Sequence, residues 1–309
     1  MTTIDGEGAS NAPSYRRLTV KTVRDETDEA RSFGLASEVG DAGLYNYRPG
    51  QFLTFRIPHE EGLITRSYSL SSAPCADPEM TVCVKRVING RGSNWFNDHL
   101  RVGARIEATP PAGRFVMQEG DAPMFLFAGG SGITPCISLI KQALIETKRR
   151  VKLVYVNQNA SSIIYREPLQ RLERRFSDRF ICEHWLDDRE GLIEAPDIAT
   201  AAEGWASANA YICGPGSLMD MAEETLSHVL GPEATILMER FVSPDDPSSE
   251  EIISHEPIAS EPIEIENFRL TLDGNEFVVP IVGGQTLLDA ALAAGIDAPC
   301  SCVEGHCGT

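Results

Sequence analysis

Apolar and polar positions along this chain fall into three successive patterns. From residue 14 to about 117 they alternate with a period of two in short runs broken by Gly and Pro, which is the mark of half-buried antiparallel strands. Runs at 15–24, 32–37, 51–57, 66–70, 81–88 and 105–108 predict strands, and 93–100 a short helix. A set of short strands of this kind predicts a small antiparallel β-barrel. From 123 the period changes. Met124-Phe125-Leu126-Phe127-Ala128 is continuously apolar, as in a strand buried on both faces. Apolar positions then recur at Ile133, Ile137, Ile140 and Leu144, with Pro135 in the first turn of the helix they predict. Strands at 151–156, 180–186, 210–213 and 234–238 alternate with helices at 163–176 and 217–230. That succession predicts an α/β doubly wound sheet with a ligand at the carboxyl ends of its strands.

The third pattern begins with a linker at 243–262, where Pro244, Pro247, Pro257 and Pro262 stand among Asp, Glu and Ser with little periodicity. Runs at 268–272 and 276–281 then flank Asp273-Gly274-Asn275, a hairpin signal, and 286–294 predicts a helix. The polar residues 1–13 read as a disordered tail. The expected division is therefore a tail at 1–13, a β-barrel domain at 14–117, an α/β domain at 118–242, the linker, and a small domain at 263–309.

Candidate chemistry concentrates in a few places. Arg66-Ser67-Tyr68-Ser69 combines a planar cation that can grip phosphate, a ring that can cover another ring, and hydroxyls that can reach a ring nitrogen. Gly92-Ser93-Asn94 opens a helix, where free backbone N–H groups favour an anion and Gly allows close approach; Lys85 lies just upstream. Two phosphate-binding elements in one barrel are what the pyrophosphate of a flavin dinucleotide requires, although each alone also reads as an ordinary strand or a capped helix. In the α/β part, Gly129-Gly130-Ser131-Gly132 and Gly214-Pro215-Gly216 both follow buried strands. One such turn is weak evidence, whereas two in one sheet favour a dinucleotide. After the second strand of this part stand Asn157-Gln158-Asn159, and no cation follows until Arg166. A 2′-phosphate would want Arg or Lys there, so NADH is expected over NADPH.

The formal net charge of −18 excludes nucleic acid as the expected partner and permits docking on a basic protein surface. No apolar run approaches the roughly 20 residues that span a bilayer, so no membrane contact is expected. Five of the eight cysteines are scattered (Cys75, Cys83, Cys136, Cys182, Cys213), as expected of reduced thiols in a cytoplasmic protein. Three crowd the end: Cys300, Cys302 and Cys307. Cys302 and Cys307 have the first spacing of the plant-type 2Fe–2S pattern, C-x₄-C-x₂-C plus a distant fourth Cys, while Cys300 stands two residues too early. They are the expected metal ligands, yet two thiolates cannot hold a cluster that needs four.

Taken together these motifs resemble the ferredoxin-NAD(P) reductase-like flavoproteins, and a ferredoxin domain placed after the flavin module is similar to the reductase components of multicomponent oxygenases. Arg66-Ser67-Tyr68-Ser69 looks like that family's flavin signature. Lys85-Arg86-Val87 and Gly92-Ser93-Asn94-Trp95 resemble its second flavin segment, and Gly129-Gly130-Ser131-Gly132-Ile133-Thr134-Pro135 its nicotinamide pyrophosphate loop. Cys213-Gly214-Pro215-Gly216 resembles the segment that sets nicotinamide against flavin, and Glu239-Arg240-Phe241 the stretch closing the module near the flavin edge. The resemblance implies FAD, NADH and a 2Fe–2S cluster as cofactors and a terminal, Rieske-type oxygenase as electron acceptor. It further implies Arg66 and Ser93 at the flavin pyrophosphate, Tyr68 at the ring and ribityl side, and Ser69 at the flavin N5. Residues 130–134 would cradle the NADH phosphates. Cys213 would lie near the nicotinamide C4, or serve simply as a small residue ending a buried strand. Hydride transfer needs no general acid or base. A diaphorase without a working cluster, or a non-catalytic carrier or docking module, are the alternatives.

Overall fold

In the computed structural model, residues 15–60, 62–241, 267–272 and 275–280 are described. The first sheet comprises β1 (Arg16–Thr27), β2 (Ala30–Ser37), β3 (Phe52–His59), β4 (Gly62–Ser69), β5 (Met80–Lys85) and β6 (Arg105–Ala108). These strands pair in the order β4-β3-β6-β1-β2-β5, every pairing antiparallel. An isolated bridge from Leu70 to Val82 joins the two ends, so the sheet closes on itself and hides its edges. Alternation does the rest: Leu18, Val20, Phe33, Leu53, Phe55 and Ile57 turn into one core. Helix α1 (Arg91–His99) adds Phe96, whose ring meets Phe55 and Phe33 edge-on at 5.2 and 5.7 Å.

The second sheet is parallel throughout. It contains β7 (Met124–Gly129), β8 (Val151–Asn157), β9 (Phe180–Leu186), β10 (Asn209–Cys213) and β11 (Ile236–Glu239), in the order β11-β10-β7-β8-β9. The chain starts at β7, moves outward to β9, then crosses to β10, so the order reverses between β7 and β10. A crevice outside the carboxyl ends of those two strands is where such sheets bind ligands. One face packs under α2 (Ile133–Glu146) and α3 (Arg166–Arg175), the other under α5 (Ala195–Ala201) and α6 (Gly216–Leu230). A single turn, α4 (Asp187–Glu190), follows β9. A separate antiparallel hairpin, β12 (Asn267–Leu272) with β13 (Asn275–Pro280), pairs in register from Asn267↔Pro280 to Leu272↔Asn275.

Several boundaries differ from the pattern-based expectation. Strand β1 runs on to Thr27 through two bulges. Strand β5 stops at Lys85 rather than 88, because 86–90 turn into α1. Helix α3 begins at Arg166 rather than 163, since Tyr165 sits in the left-handed region at φ 60° and cannot belong to the helix. Helices α4 and α5 have no counterpart in the hydrophobic pattern. Part of the barrel reaches into a core of the second sheet: Ala30 and Cys83 lie in the same buried cluster as α2, and Phe115 joins them, edge-on to Tyr211 at 5.7 Å. The expected tail, the linker, the helix at 286–294 and Cys300, Cys302 and Cys307 lie outside the described residues. Among the described residues no helix is long and apolar enough to cross a membrane.

Candidate functional site

Strand β4 brings Arg66 and Tyr68 onto one face and Ser67 and Ser69 onto the other, as its period requires. Arg66 is buried, and its Nη1 donates to the Thr65 carbonyl at 2.7 Å. The first turn of α1 lies directly against it. A Cβ added to Gly92 would stand 2.6 Å from Arg66 Cγ, 3.0 Å from Ile57 Cδ1 and 3.3 Å from the Tyr68 hydroxyl. Only glycine allows this approach, and it sets the positive end of α1 beside a buried guanidinium and a phenol. The structure therefore brings Arg66, Tyr68 and Gly92 together, as the sequence implied. Tyr68 packs edge-on to Phe96 at 4.9 Å, which fixes its ring.

Other expected residues are braced locally. The Ser93 hydroxyl accepts from the Val87 N–H at 3.1 Å, and Asn94 donates to the Val87 carbonyl at 3.1 Å while accepting from Arg86. Both hold the 86–90 turn to the helix start. Lys85 lies 3.7 Å from the Glu29 carboxylate, and Ser67 shares a hydrogen bond with Thr54 at 2.9 Å. Ser69 is different: it is 3% exposed and its hydroxyl has no partner among the described residues. A buried hydroxyl without a partner costs about 1–3 kcal/mol, so a missing ligand group is its physical explanation.

Both glycine turns meet at the switch point. Cys213 of β10 is in register with Ala128 of β7. A Cβ on Gly132 would fall 2.0 Å from the Cys213 carbonyl oxygen, and one on Gly129 would fall 2.8 Å from Leu218 Cδ2 and Pro215 Cδ. Gly214 backs onto Gly129 in the same way. Gly130 turns at φ +51° into the 3-10 turn Gly130–Gly132 that leads into α2. The Tyr155 hydroxyl donates to the Gly130 carbonyl at 2.9 Å, and Thr134 Oγ1 to the Ser131 carbonyl at 3.0 Å. The turn is thus tied from below, and open space lies where a Gly130 side chain would be. Backbone N–H groups at the start of a 14-residue helix and this open space are features that can accommodate a phosphate. Pro135, in the first helical turn, is buried.

Asn157 ends β8. It is 4% exposed, and among the described residues neither its Oδ1 nor its Nδ2 meets hydrogen-bond geometry, although the side chain interacts with the Tyr155 hydroxyl. Strand β9, in register with it, leads to two more buried atoms without partners, His184 Nδ1 and Asp187 Oδ1. The sequence motifs do not mark these two as binding residues; the available signal was a polar residue at the carboxyl end of a buried strand. Burial keeps the His184 imidazole below its usual range and so neutral, and Asp187 is raised by burial and by its neighbours Asp188 and Glu190.

Cys213 ends the buried strand β10. It is fully buried beside Cys136, and burial, then Cys136 and Glu239, hold its thiol well above the ordinary range, so it stays neutral. Its contribution to the crevice is backbone, pressed against Gly132. Glu239 is in register with Cys213 at the end of β11, and Phe241 just beyond it is half-exposed. Cys302 and Cys307 lie outside the described residues, and among the described residues no group of three His, Cys, Asp or Glu is arranged to hold a metal.

Comparison with known proteins fits this geometry. Residues 17–117 match the oxidoreductase FAD-binding domain, 126–224 the oxidoreductase NAD-binding domain, and 270–309 the 2Fe-2S iron-sulfur cluster binding domain. The ferredoxin reductase component of 3-ketosteroid-9-alpha-monooxygenase from Rhodococcus rhodochrous is 39% identical over 94% of this chain and 84% of its own. The chain belongs to the oxygenase reductase family. The glycine betaine monooxygenase reductase from Pseudomonas aeruginosa, at 28% identity over 94% of the chain and 82% of its own, is a further relative. Phthalate dioxygenase reductase has the same fold, with a TM-score of 0.65 at 24% identity over 95% of this chain and 85% of its own. The fold class is thus an antiparallel FAD domain, a parallel NAD domain and a 2Fe–2S carboxyl-terminal domain. As an oxygenase reductase, the protein passes electrons from a nicotinamide dinucleotide through FAD towards a 2Fe–2S centre. The buried Ser69 and Asn157 atoms and the glycine cradles fit FAD and the nicotinamide dinucleotide.

Proposed function

We propose that this reductase is specific for NADH, acts in the cytoplasm, and serves a Rieske-type terminal oxygenase. The observation that supports the cofactor sites is the set of buried polar atoms without partners among the described residues at or near the carboxyl ends of β4, β8 and β9: Ser69, Asn157, His184 and Asp187. Arg66 and the start of α1, with Gly92, Ser93 and Asn94, hold the flavin pyrophosphate. Tyr68 flanks the ring, and Ser69 offers its hydroxyl to the N5 edge. Backbone N–H groups of 130–134 receive the NADH phosphates, Asn157 the adenosine side, and the Cys213-Gly214-Pro215 backbone supports the nicotinamide. Glu239 and Phe241 border the flavin edge. FAD, when bound, supplies the exchange between paired and single electrons; the protein supplies position and exclusion of water.

The preference for NADH rests on charge. Among 157–165 there is no Lys or Arg, and α4 sets Asp187, Asp188 and Glu190 against Arg189 at the neighbouring strand end. A 2′-phosphate would meet net negative charge there. Steady-state kcat/KM for the two dinucleotides tests this, and equal values would overturn it.

A further inference from the structure

We propose that Tyr165 is a positioning residue for hydride transfer: its hydroxyl, bridging Ser32 and Ser71, fixes the NAD-binding module against the strand that carries Ser69. The inference rests on the cofactor assignment above.

Tyr165 precedes α3 in the left-handed conformation, φ 60° and ψ 28°. That region is a genuine outlier for a bulky residue and persists only where contacts over-determine it. The contacts are here. The ring is buried, and its hydroxyl crosses into the barrel, 2.9 Å from Ser32 Oγ and 2.7 Å from Ser71 Oγ, both buried serines. Its backbone N–H faces the Glu26 carboxyl of β1. Ser71 lies two residues beyond Ser69. Its carbonyl accepts from Lys141 Nζ at 3.1 Å, and the carbonyl of Ser72 accepts from Ser138 Oγ at 2.5 Å. Both donors stand on α2, the helix that begins at the phosphate cradle. One polar seam therefore couples the strand of Ser69 to the helix that follows Gly130–Gly132, and Tyr165 is the side chain in it that reaches two separate barrel segments at once.

The seam counts protons. Ser32 donates to Glu26 Oε1 at 2.7 Å, and Ser71 donates to the Thr81 carbonyl at 3.0 Å. Four contacts run from Glu26 through Ser32, Tyr165 and Ser71 to Thr81, and the three hydroxyls hold three protons. With Glu26 ionised one contact lacks a proton; with Glu26 protonated the run points one way and all four are filled. Glu26, Ser32, Ser71 and Tyr165 line a crevice of about 560 Å³ between the modules, by which the carboxyl exchanges protons with solvent. The other groups facing Glu26 are Arg24 on its own strand, Lys141 from α2 and the Cys83 thiol of β5, itself pushed up to about 12 by burial. Burial raises the Glu26 carboxyl despite the two cations.

The experiment uses the full chain loaded with FAD and mixed anaerobically with NADH. In Tyr165→Phe, which keeps the ring, the limiting rate of flavin reduction should fall about 10-fold, the scale expected of a small misplacement of reacting atoms. FAD content and the NADH Kd should stay within about twofold, and the long-wavelength absorbance of the flavin–nicotinamide pair should weaken. Without cofactors, amide exchange at 71–81 and 166–169 should accelerate together. Glu26→Gln, which offers Ser32 an N–H at every pH, should remove the acid-side pH dependence of the limiting rate. An unchanged rate and unchanged exchange in Tyr165→Phe would overturn the proposal. Should that variant fail to fold, Ser71→Ala removes one of the same bonds, and a wild-type rate there overturns it equally. Wild-type protein that binds FAD yet is not reduced by NADH would remove the cofactor reading itself.

Discussion

Ser69 and Ser71 are two residues apart, of the same type and equally buried, and they meet opposite fates. The Ser69 hydroxyl has no partner, whereas Ser71 bonds Tyr165 and Thr81. Burial alone therefore says nothing about role. Satisfaction does: a hydroxyl kept dry and unbonded marks the place reserved for something the chain does not itself supply, and a hydroxyl bonded on both sides marks a joint. The same contrast separates Asn157, without partners, from Asn97, which donates to the Val84 and Ser93 carbonyls.

The largest effect should come where no adjustment is open. Gly132→Ala places a methyl carbon on the Cys213 carbonyl, so it should cost about 2–3 kcal/mol by forcing backbone apart and raise the KM for NADH. Urea unfolding and steady-state kinetics measure both. Arg66→Ala should weaken FAD by about 10–100-fold, the worth of a charge-assisted phosphate contact. Flavin content after gel filtration measures this, and undiminished flavin would break the site half of the comparison. The serines themselves sharpen it further. Without cofactors, Ser71→Ala should destabilise the protein by about 1 kcal/mol, and Ser69→Ala should leave it unchanged or slightly more stable. With FAD bound, Ser69→Ala should slow flavin reduction. Loss of stability in both variants would erase the distinction.

The smallest effect concerns pH. Because the folded Glu26 carboxyl titrates above its ordinary value of 4.5, the folded chain keeps a proton that the unfolded chain has lost. Stability should therefore fall as pH rises from 4.5 to the folded value, and stay lowered above it. Glu26→Gln should abolish that slope and raise the thermal midpoint at neutral pH by a few degrees at most. A midpoint lower than wild type at neutral pH would contradict it.

Much of the architecture is legible in the sequence because it follows from period. Residues 105–108 and 180–186 alternate or run apolar between clear breaks, and β6 and β9 have those limits. The two glycine turns at the switch point are legible because each follows an apolar run that reads as a buried strand, β7 and β10. What stayed hidden is non-local or unpatterned. Helix α4 is a single acidic turn and α5 only about two turns, too short for apolar positions to set a period. The Tyr165 bridges span 133 and 94 residues of sequence, and no local signal marks a hydroxyl as answered or unanswered. The unanswered atoms of His184 and Asp187 went unmarked for the same reason.

Ala30 and Cys83 belong by sequence to the barrel but sit in the hydrophobic cluster of the other half. Anyone recombining this reductase with a relative at the junction near residue 117 would carry those two side chains into a foreign interior. A hybrid built that way should recover its melting cooperativity only when positions 30 and 83 travel with α2 and Phe115, so the unit of inheritance here is larger than the unit of chemistry.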